Sequence, residues 1–190
     1  MDVTLLDYGM GNLRSVQRAL EAAGATVHRS SRVRDGRVVL PGQGAFPQAV
    51  ARLRATGAWD ELRAHLAAER PLLGICLGMQ LLFESSEEHG RTEGLGVLPG
   101  RVVHLASRAP SPPTVPNMGW HCLDDGRWAY FAHSFGVSLP EPRPDWVGAV
   151  VSHGAAWVAS VRRGTVHAHQ FHPEKSGADG IRRLQEWLAC

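Results

Sequence analysis

The chain has 190 residues, of which 44% are hydrophobic and 20% are charged, and its formal net charge is +2. This length and composition predict one well-packed domain covering residues 1–190. Acidic and basic residues are interspersed, so no basic stripe of the kind that binds a nucleic acid backbone is present. No apolar run approaches the length of a membrane span, and no basic region precedes the first apolar segment. We therefore expect a soluble cytoplasmic protein that binds neither nucleic acid nor membrane.

The first half of the sequence alternates predicted strands with predicted helices. Apolar runs predict strands, and apolar residues at helical spacing predict helices. The strands are expected at 3–8, 25–28, 37–40 and 71–75, and the helices at 12–23, 46–54, 59–69 and from residue 76 to about 88. Strands separated by helices imply right-handed crossovers and a parallel sheet.

The second half has closely spaced strands and one final helix. Strands are predicted at 101–105, 118–123, 128–131, 146–151, 156–162 and 165–171, and a helix at 177–188. Four prolines make 109–116 a stiff extended loop. Together the two halves predict an α/β fold with a mixed, mostly parallel central sheet, helices on both faces, and extra antiparallel strands from the C-terminal half.

One of the three cysteines stands in a setting typical of a nucleophile. Residues 74–78 read Gly-Ile-Cys-Leu-Gly and join an apolar strand to a predicted helix. Glycines permit such a sharp turn, and the equivalent serine turn exposes the nucleophile of many hydrolases. A helix N-terminus also favours the thiolate, which is the reactive form of cysteine. The alternative is that Cys76 is a small buried core residue. Cys122 and Cys190 are interpreted as bystanders, because three scattered cysteines form no disulfide framework and indicate a reducing compartment.

A histidine and a glutamate near the end of the chain could complete a catalytic set. His172-Pro173-Glu174 follows a predicted strand. A histidine can take the thiol proton and return it to a leaving amine, while a carboxylate can hold the imidazole in the required tautomer. Alone, this segment reads as an ordinary turn. Beside the cysteine turn, it makes Cys76, His172 and Glu174 the candidate catalytic residues.

A third segment is a candidate for binding negative charge. Residues 41–44 read Pro-Gly-Gln-Gly and lie between a predicted strand and a predicted helix. Two glycines spaced by one residue leave backbone N–H groups free to bind a developing oxyanion. From this segment alone, a plain strand-to-helix turn is the simpler interpretation. Three nearby histidines, His167, His169 and His172, do not predict a metal site, because strand alternation places the third on the opposite face from the others.

These segments resemble the class I, triad-type glutamine amidotransferases over most of the chain. More narrowly, the sequence is similar to the glutaminase subunits of imidazole glycerol phosphate synthases. That similarity also rests on four segments: Asp-Tyr-Gly-Met-Gly-Asn-Leu at 7–13, Val-Pro-Asn-Met-Gly-Trp at 115–120, Tyr-Phe-Ala-His-Ser-Phe at 130–135 and Gln-Phe-His-Pro-Glu-Lys-Ser at 170–176. Lys175 is the most discriminating residue, because other triad amidotransferases usually carry a different one there. The resemblance implies a flavodoxin-like class I glutamine amidotransferase fold.

The resemblance implies a mechanism and a set of site residues. Cys76 attacks the glutamine carboxamide, His172 protonates the departing ammonia, Glu174 orients His172, and water then hydrolyses the thioester without metal or organic cofactor. The backbone N–H groups expected to form the oxyanion hole are those of Gly42, Gln43, Gly44 and Leu77. The residues expected to hold the amino-acid end of glutamine are Gln80, His133, Ser134 and Phe135.

The resemblance also implies a partner. Ammonia passes to a separate barrel-shaped cyclase subunit, in a heterodimer that makes imidazole glycerol phosphate and AICAR in histidine biosynthesis, and the isolated chain is expected to have low activity. The positions expected at the interface are Asn12, Met118, Trp120, Tyr130 and Lys175.

Four positions differ from the usual family pattern, and two other functions remain open. The differing residues are Gln43, Asn117, His121 and Phe135. Gln43 is the most informative, because its peptide is expected to rotate when the oxyanion hole forms. The glutaminase of anthranilate or aminodeoxychorismate synthase would share the triad, but Lys175 and residues 118–120 argue against it. A non-enzymatic binding module is the other alternative, and the intact triad argues against that.

Overall fold

A computed structural model describes residues 1–108 and 113–190. The helices are α1 (Leu13–Ala22), α2 (Phe46–Ala55), α3 (Ala58–Ala67), α4 (Leu77–Gln80) and α5 (Gly177–Leu188). The strands are β1 (Asp2–Leu6), β2 (Thr26–Ser30), β3 (Arg37–Leu40), β4 (Leu72–Ile75), β5 (Phe83–Ser86), β6 (Thr92–Glu93), β7 (Leu98–His104), β8 (Asn117–Cys122), β9 (Trp128–His133), β10 (Phe135–Gly136), β11 (Val147–His153), β12 (Ala155–Arg163) and β13 (Val166–His169). The loop predicted at 109–116 lies partly outside the described residues.

The central sheet is mixed and has a parallel core. Its strand order is β11-β12-β13-β4-β3-β1-β2. The five strands from β13 to β2 pair in parallel, whereas β11 and β12 are antiparallel additions from the C-terminal half. This arrangement confirms the predicted mixed, mostly parallel sheet.

Helices cover both faces of this sheet because successive strand residues point to opposite sides. On one face, Val39 and Leu73 pack in a buried cluster with side chains of α1 and α5. On the other, Val38 and Leu72 pack with side chains of α2 and α3. The helices predicted on both faces are therefore confirmed.

Helix α1 illustrates how local sequence sets an element. Asn12 precedes the helix, and its side-chain oxygen accepts a hydrogen bond from the Ser15 N–H at 3.3 Å. Such a bond satisfies one of the unpaired donors of a first helical turn. Val16 and Leu20 lie one turn apart and are buried against the sheet.

The helix predicted from residue 76 to about 88 is wrong. Helix α4 ends at Gln80, and the chain then forms strand β5, which pairs with β6 and β7. The 94–97 segment donates hydrogen bonds to the carbonyls of Leu81, Leu82 and Glu84, at 2.8–2.9 Å. These backbone partners, distant in sequence, override the local helical pattern.

The strands predicted between residues 101 and 131 form sheets of their own. Strand β7 belongs to a four-stranded sheet of order β10-β7-β5-β6, and β8 and β9 form a two-stranded hairpin. On the outer face of the β8–β9 hairpin, Met118 is 63% exposed and Trp120 is 49% exposed. Within residues 1–108 and 113–190, no helix is long and apolar enough to cross a membrane.

Candidate active site

Two neighbouring strands of the central sheet bring the candidate catalytic residues together. Strands β4 and β13 are parallel, with Ile75 paired to His169. The N–H of Cys76 donates to the His169 carbonyl at 2.7 Å. Because parallel strands end at the same edge of a sheet, Cys76 meets the segment that follows β13, which contains His172.

Cys76 occupies a sharp turn that depends on close backbone contacts. Its φ of 54° and ψ of −108° lie in a region that residues with a Cβ rarely adopt. A Cβ at Gly78 would lie 1.8 Å from the Leu40 carbonyl oxygen, and one at Gly74 would lie 2.8 Å from the Gly78 oxygen. Glycine is therefore required on both sides of Cys76, as the sequence predicts for a nucleophile turn.

His172 is held between a thiol and a carboxylate. Its Nδ1 lies 2.8 Å from Glu174 Oε1, and both side chains are almost fully buried. Burial opposes a charge on the imidazole, but hydrogen bonds to Cys76 and Glu174 outweigh it and raise the pKa of His172 above its ordinary value. The arrangement favours a protonated imidazole next to the Cys76 sulfur, which is the pairing that a cysteine nucleophile and its base require.

The β8–β9 hairpin fixes the backbone around His172. The His172 N–H donates to the Tyr130 carbonyl at 2.9 Å. The Ser176 hydroxyl donates to the His172 carbonyl at 2.6 Å and accepts from the Tyr130 N–H at 3.0 Å. The strand that carries Tyr130 on its outer face is thus bonded directly to the candidate base.

Gln80 links the Cys76 turn to the 133–135 segment of the pocket lining. Its Nε2 donates to the Phe135 carbonyl at 2.8 Å and to Gln170 Oε1 at 3.1 Å. The Gln170 amide in turn donates to the Cys76 sulfur at 3.7 Å. Gln80 therefore contacts the 133–135 segment through a backbone carbonyl.

His133 is a buried neutral histidine between two hydrogen-bond partners. Its Nδ1 donates to the Phe135 carbonyl at 2.8 Å, so its Nε2 accepts from the Asn117 amide at 3.1 Å. Burial outweighs the effect of the carbonyl and lowers the pKa of His133 to about 4. Asn117, which departs from the usual family pattern, is thus hydrogen-bonded and holds one tautomer of His133.

The candidate residues surround a cavity of about 370 Å³, which we call the Cys76 pocket. Its lining combines the predicted catalytic, oxyanion and glutamine-binding positions with other side chains: Gln43, Gly44, Cys76, Leu77, Gln80, Glu88, Pro116, Met118, Ala132, His133, Ser134, Phe135 and His172. Two predicted residues lie behind this lining. Glu174 lies behind His172, and Gly42 is packed between Tyr8 and Leu77.

Glu88 is a pocket residue that the sequence did not reveal. Its Oε2 accepts a hydrogen bond from the Phe46 N–H at 2.7 Å, at the start of α2. The helix predicted after Cys76 was too long and placed Glu88 at its C-terminal end. The position of Glu88 beside the pocket was therefore missed. A carboxylate beside a helix N-terminus, facing a cavity, is a candidate partner for a cationic group.

The predicted interface residues cluster near the pocket. The Trp120 and Tyr130 rings lie 6.0 Å apart, and the Lys175 ammonium lies 5.7 Å from the centre of the Tyr130 ring. Met118 borders the pocket and is largely exposed. Asn12 lines a small cavity that also touches His172 and Glu174.

The described part of the chain contains no group of three His, Cys, Asp or Glu side chains placed to hold a metal ion. The chemistry available at the Cys76 pocket is that of the Cys76 thiol, the His172 imidazole and the Glu88 carboxylate, with the Glu174 carboxylate behind His172.

The chain is similar to known proteins in sequence and in fold. The sequence pattern of the glutamine amidotransferase class-I family matches residues 4–187. The chain is 45% identical over 190 residues to "Imidazole glycerol phosphate synthase subunit HisH" of Exiguobacterium sibiricum, covering 97% of this chain and 93% of the relative. It is 41% identical to the protein of the same name from Leifsonia xyli, covering 98% and 97%. It is also 41% identical to "Imidazole glycerol phosphate synthase hisHF, chloroplastic" of Arabidopsis thaliana, covering 98% of this chain but 34% of that protein.

A solved structure described as "Crystal structure of glutamine amidotransferase" superposes with a TM-score of 0.74, covering 99% of each chain. Its sequence is 20% identical to this chain, so the similarity establishes the fold alone. With the sequence match over residues 4–187, it confirms the predicted class I amidotransferase fold.

Proposed function

This chain belongs to the class-I glutamine amidotransferase family, and we propose that it is the glutaminase subunit of an imidazole glycerol phosphate synthase, active in histidine biosynthesis. The observation that carries the chemistry is the buried set of Cys76, His172 and Glu174 at the Cys76 pocket. The names of the relatives at 41–45% identity favour this subunit over the anthranilate and aminodeoxychorismate glutaminases, which the triad alone fits equally well.

The reaction begins with attack of the Cys76 sulfur on the carboxamide carbon of glutamine. The tetrahedral oxyanion that forms collapses by breaking the C–N bond, and His172 gives its proton to the leaving ammonia. His172 then takes a proton from water, which attacks the glutamyl thioester. Breaking the C–S bond releases glutamate and returns the proton to the Cys76–His172 pair. Glu174 keeps the imidazole oriented through both steps.

The developing oxyanion requires donors beside Cys76. The Leu77 N–H follows the nucleophile at the start of α4, and Gln43 and Gly44 line the same pocket. These N–H groups, with that of Gly42, supply the oxyanion hole. Preorganised donors of this kind stabilise the transition state more than the ground state.

The polar residues that line the pocket suit the amino-acid group of glutamine. Glu88 is the acidic side chain among the described lining residues, and it pairs with the substrate α-ammonium. The residues expected to hold the α-carboxylate, through backbone and amide groups, line the same pocket: Gln80, His133, Ser134 and Phe135. Glu88 thereby adds one residue to the glutamine-binding set expected from the sequence.

As a subunit, the chain works with a cyclase subunit. We propose that this partner is a barrel-shaped cyclase and that the two subunits form a heterodimer. The cyclase docks on a surface formed by five residues: Asn12, Met118, Trp120, Tyr130 and Lys175. The exposed Met118 and Trp120 side chains support this surface, because large apolar residues exposed together mark interaction sites. Met118 also borders the Cys76 pocket, so ammonia released there would leave close to the partner.

The first test measures glutamate release from glutamine by this chain alone and mixed with the cyclase subunit and its nucleotide ligand. We expect strong stimulation by the mixture and a total loss of hydrolysis in Cys76→Ala, with partner binding retained. Equal activity with and without the cyclase would contradict the assigned partner. No hydrolysis in either sample would contradict the glutaminase.

A further inference from the structure

Tyr8 forms a buried hydrogen bond that no part of the catalytic mechanism described above uses. It follows β1, and it is 3% exposed. Its hydroxyl donates to the Pro41 carbonyl at 2.8 Å, across 33 positions of sequence. Pro41 is the first residue of the 41–44 loop, which contributes oxyanion donors in the proposed function.

The bond acts on one specific peptide unit. The Pro41 carbonyl and the Gly42 N–H belong to the same planar peptide and point in opposite directions. Fixing the carbonyl with the Tyr8 hydroxyl therefore also fixes where the Gly42 N–H points. The same hydrogen bond therefore anchors Gly42, the residue at which the next peptide begins. That next peptide, Gly42–Gln43, is the one expected to rotate when the oxyanion hole forms.

The packing around this peptide leaves little freedom. A Cβ at Gly42 would lie 2.6 Å from the Tyr8 hydroxyl oxygen and 2.9 Å from Leu77 Cβ. Gly42 is thus enclosed between Tyr8 on one side and the residue that follows Cys76 on the other. At the other end of the loop, the Met10 side chain lies against Gly44. The segment after β1 therefore supports both ends of the 41–44 loop.

The electrostatic surroundings keep the Tyr8 hydroxyl a donor. Burial raises the pKa of Tyr8 above its ordinary value, and the electrostatic effect of the neighbouring Cys76 adds to the rise. The hydroxyl therefore stays protonated at neutral pH, as donation to a carbonyl requires.

We propose that Tyr8 is a positioning residue of the glutaminase site, whose hydroxyl holds the Pro41–Gly42 peptide so that the 41–44 loop presents its N–H groups to the oxyanion. The proposal rests on the proposed glutaminase function and adds a residue to it. Tyr8 touches neither substrate nor reacting atoms. It acts through the loop, and it belongs to the same short segment as Asn12, which is expected at the cyclase interface.

The test uses Tyr8→Phe, which removes the hydroxyl and keeps the ring, in the complex with the cyclase and its nucleotide ligand. We expect kcat for glutamine hydrolysis to fall about 10-fold, less than the 10²–10³ that loss of a whole oxyanion donor costs. KM for glutamine should stay within about twofold, because the pocket wall that holds the amino-acid group is unchanged. Thr56→Val is the matched control, since the Thr56 hydroxyl also donates to backbone carbonyls, at the far end of α2.

Alkylation of Cys76 by iodoacetamide separates positioning from general structural damage. This reaction needs the thiolate but no oxyanion hole, so its rate should be unchanged in Tyr8→Phe. The Cys76 that is alkylated in the fast phase counts the folded sites, and peptide mass analysis separates it from the exposed Cys122 and Cys190. The value of kcat can then be corrected for any unfolded fraction.

An unchanged or raised kcat per alkylated site would overturn the proposal. So would an alkylation rate that falls in parallel with kcat, because Tyr8 would then support the thiolate rather than the loop. If the wild-type complex releases no glutamate, the proposed function itself fails, whatever Tyr8→Phe does.

Discussion

Hydrogen bonds to Cys76 and Glu174 stabilise the charged form of His172. Of these two residues, Glu174 can be neutralised with the smaller change of side-chain shape. Glu174→Gln removes the carboxylate 2.8 Å from Nδ1 and leaves an amide of similar size. We expect kcat for glutamine hydrolysis to fall by about 10³–10⁴, since loss of the orienting carboxylate in another catalytic triad lowers kcat by about 10⁴. Steady-state kinetics at saturating glutamine with the cyclase complex measures this loss.

Glu174→Gln should also change how the free energy of unfolding depends on pH. The folded-state pKa of His172 is raised, so the stability gained from its charged form is fully present below the unfolded pKa of about 6.5 and is lost as pH rises through the raised value. The difference in the free energy of unfolding between wild type and Glu174→Gln should therefore be larger at about pH 6 than at about pH 10. Urea unfolding at the two pH values measures it. A difference that grows with pH would contradict a charged His172.

Glu88 offers a separate test of substrate binding. Glu88→Gln keeps an oxygen that can accept from the Phe46 N–H but loses the negative charge offered to the α-ammonium. A charged hydrogen bond is worth about 1.5–3 kcal/mol, so KM for glutamine should rise about 10-fold or more while kcat changes little. Glu84→Gln is the matched control, because Glu84 accepts from the Gly100 N–H and does not line the pocket. Equal KM values for the two variants would remove Glu88 from the substrate contacts.

At the scale of elements, the packing of α4 against β3 sets the position of the nucleophile. A Cβ at Gly78 would fall 1.8 Å from the Leu40 carbonyl oxygen, which is backbone and cannot turn aside. We expect Gly78→Ala to cost more than about 3 kcal/mol of unfolding free energy, beyond ordinary overpacking. Gly136→Ala is the control, because its new Cβ would meet its nearest atoms at ordinary contact distance, 3.5 Å. Similar melting temperatures for both variants would show that α4 can move away from β3.

Elements with strong local signals could be predicted from the sequence, and those made by distant partners could not. Helix α1 carries its own cap at Asn12 and its own apolar stripe, so its ends were predicted within one residue. Strand β5 forms because residues 94–102 supply its hydrogen bonds. The sequence of residues 83–86 contains no local pattern that predicts this pairing. The helix predicted from the sequence therefore continued past Gln80, and the position of Glu88 in the pocket was missed.

The same distinction applies to the candidate site. The sequence offers Cys76, His172 and Glu174 as candidate catalytic residues because glycine spacing and the His-Pro-Glu sequence are local patterns. The Asn117–His133 and Tyr8–Pro41 hydrogen bonds join residues from different strands and loops. Their existence depends on strand register and loop packing, which a single sequence does not state.

For the whole molecule, the β8–β9 hairpin connects the proposed partner surface to the base. Trp120 is exposed on its outer face, while the Tyr130 carbonyl accepts from the His172 N–H on its inner side. Trp120→Ala should raise the cyclase concentration needed for half-maximal stimulation by about 10-fold, because buried aromatic anchors dominate interfaces. Titration of glutamate release with cyclase measures this concentration.

Trp128 provides the control for that experiment. It lies on the same hairpin and is 52% exposed, but it is outside the expected interface. Trp128→Ala should therefore titrate like the wild type. If Trp128→Ala weakens stimulation and Trp120→Ala does not, the partner docks on a different part of the hairpin.

The adjacency of β4 and β13 limits which parts of such an enzyme can change during evolution. The spacing of nucleophile and base is set by backbone hydrogen bonds in the middle of a sheet, where insertions and deletions are poorly tolerated. Surface segments such as the β8–β9 hairpin can lengthen, shorten or change sequence without altering that spacing. Descendants of one ancestral glutaminase could thus acquire different ammonia-consuming partners while inheriting the same chemistry.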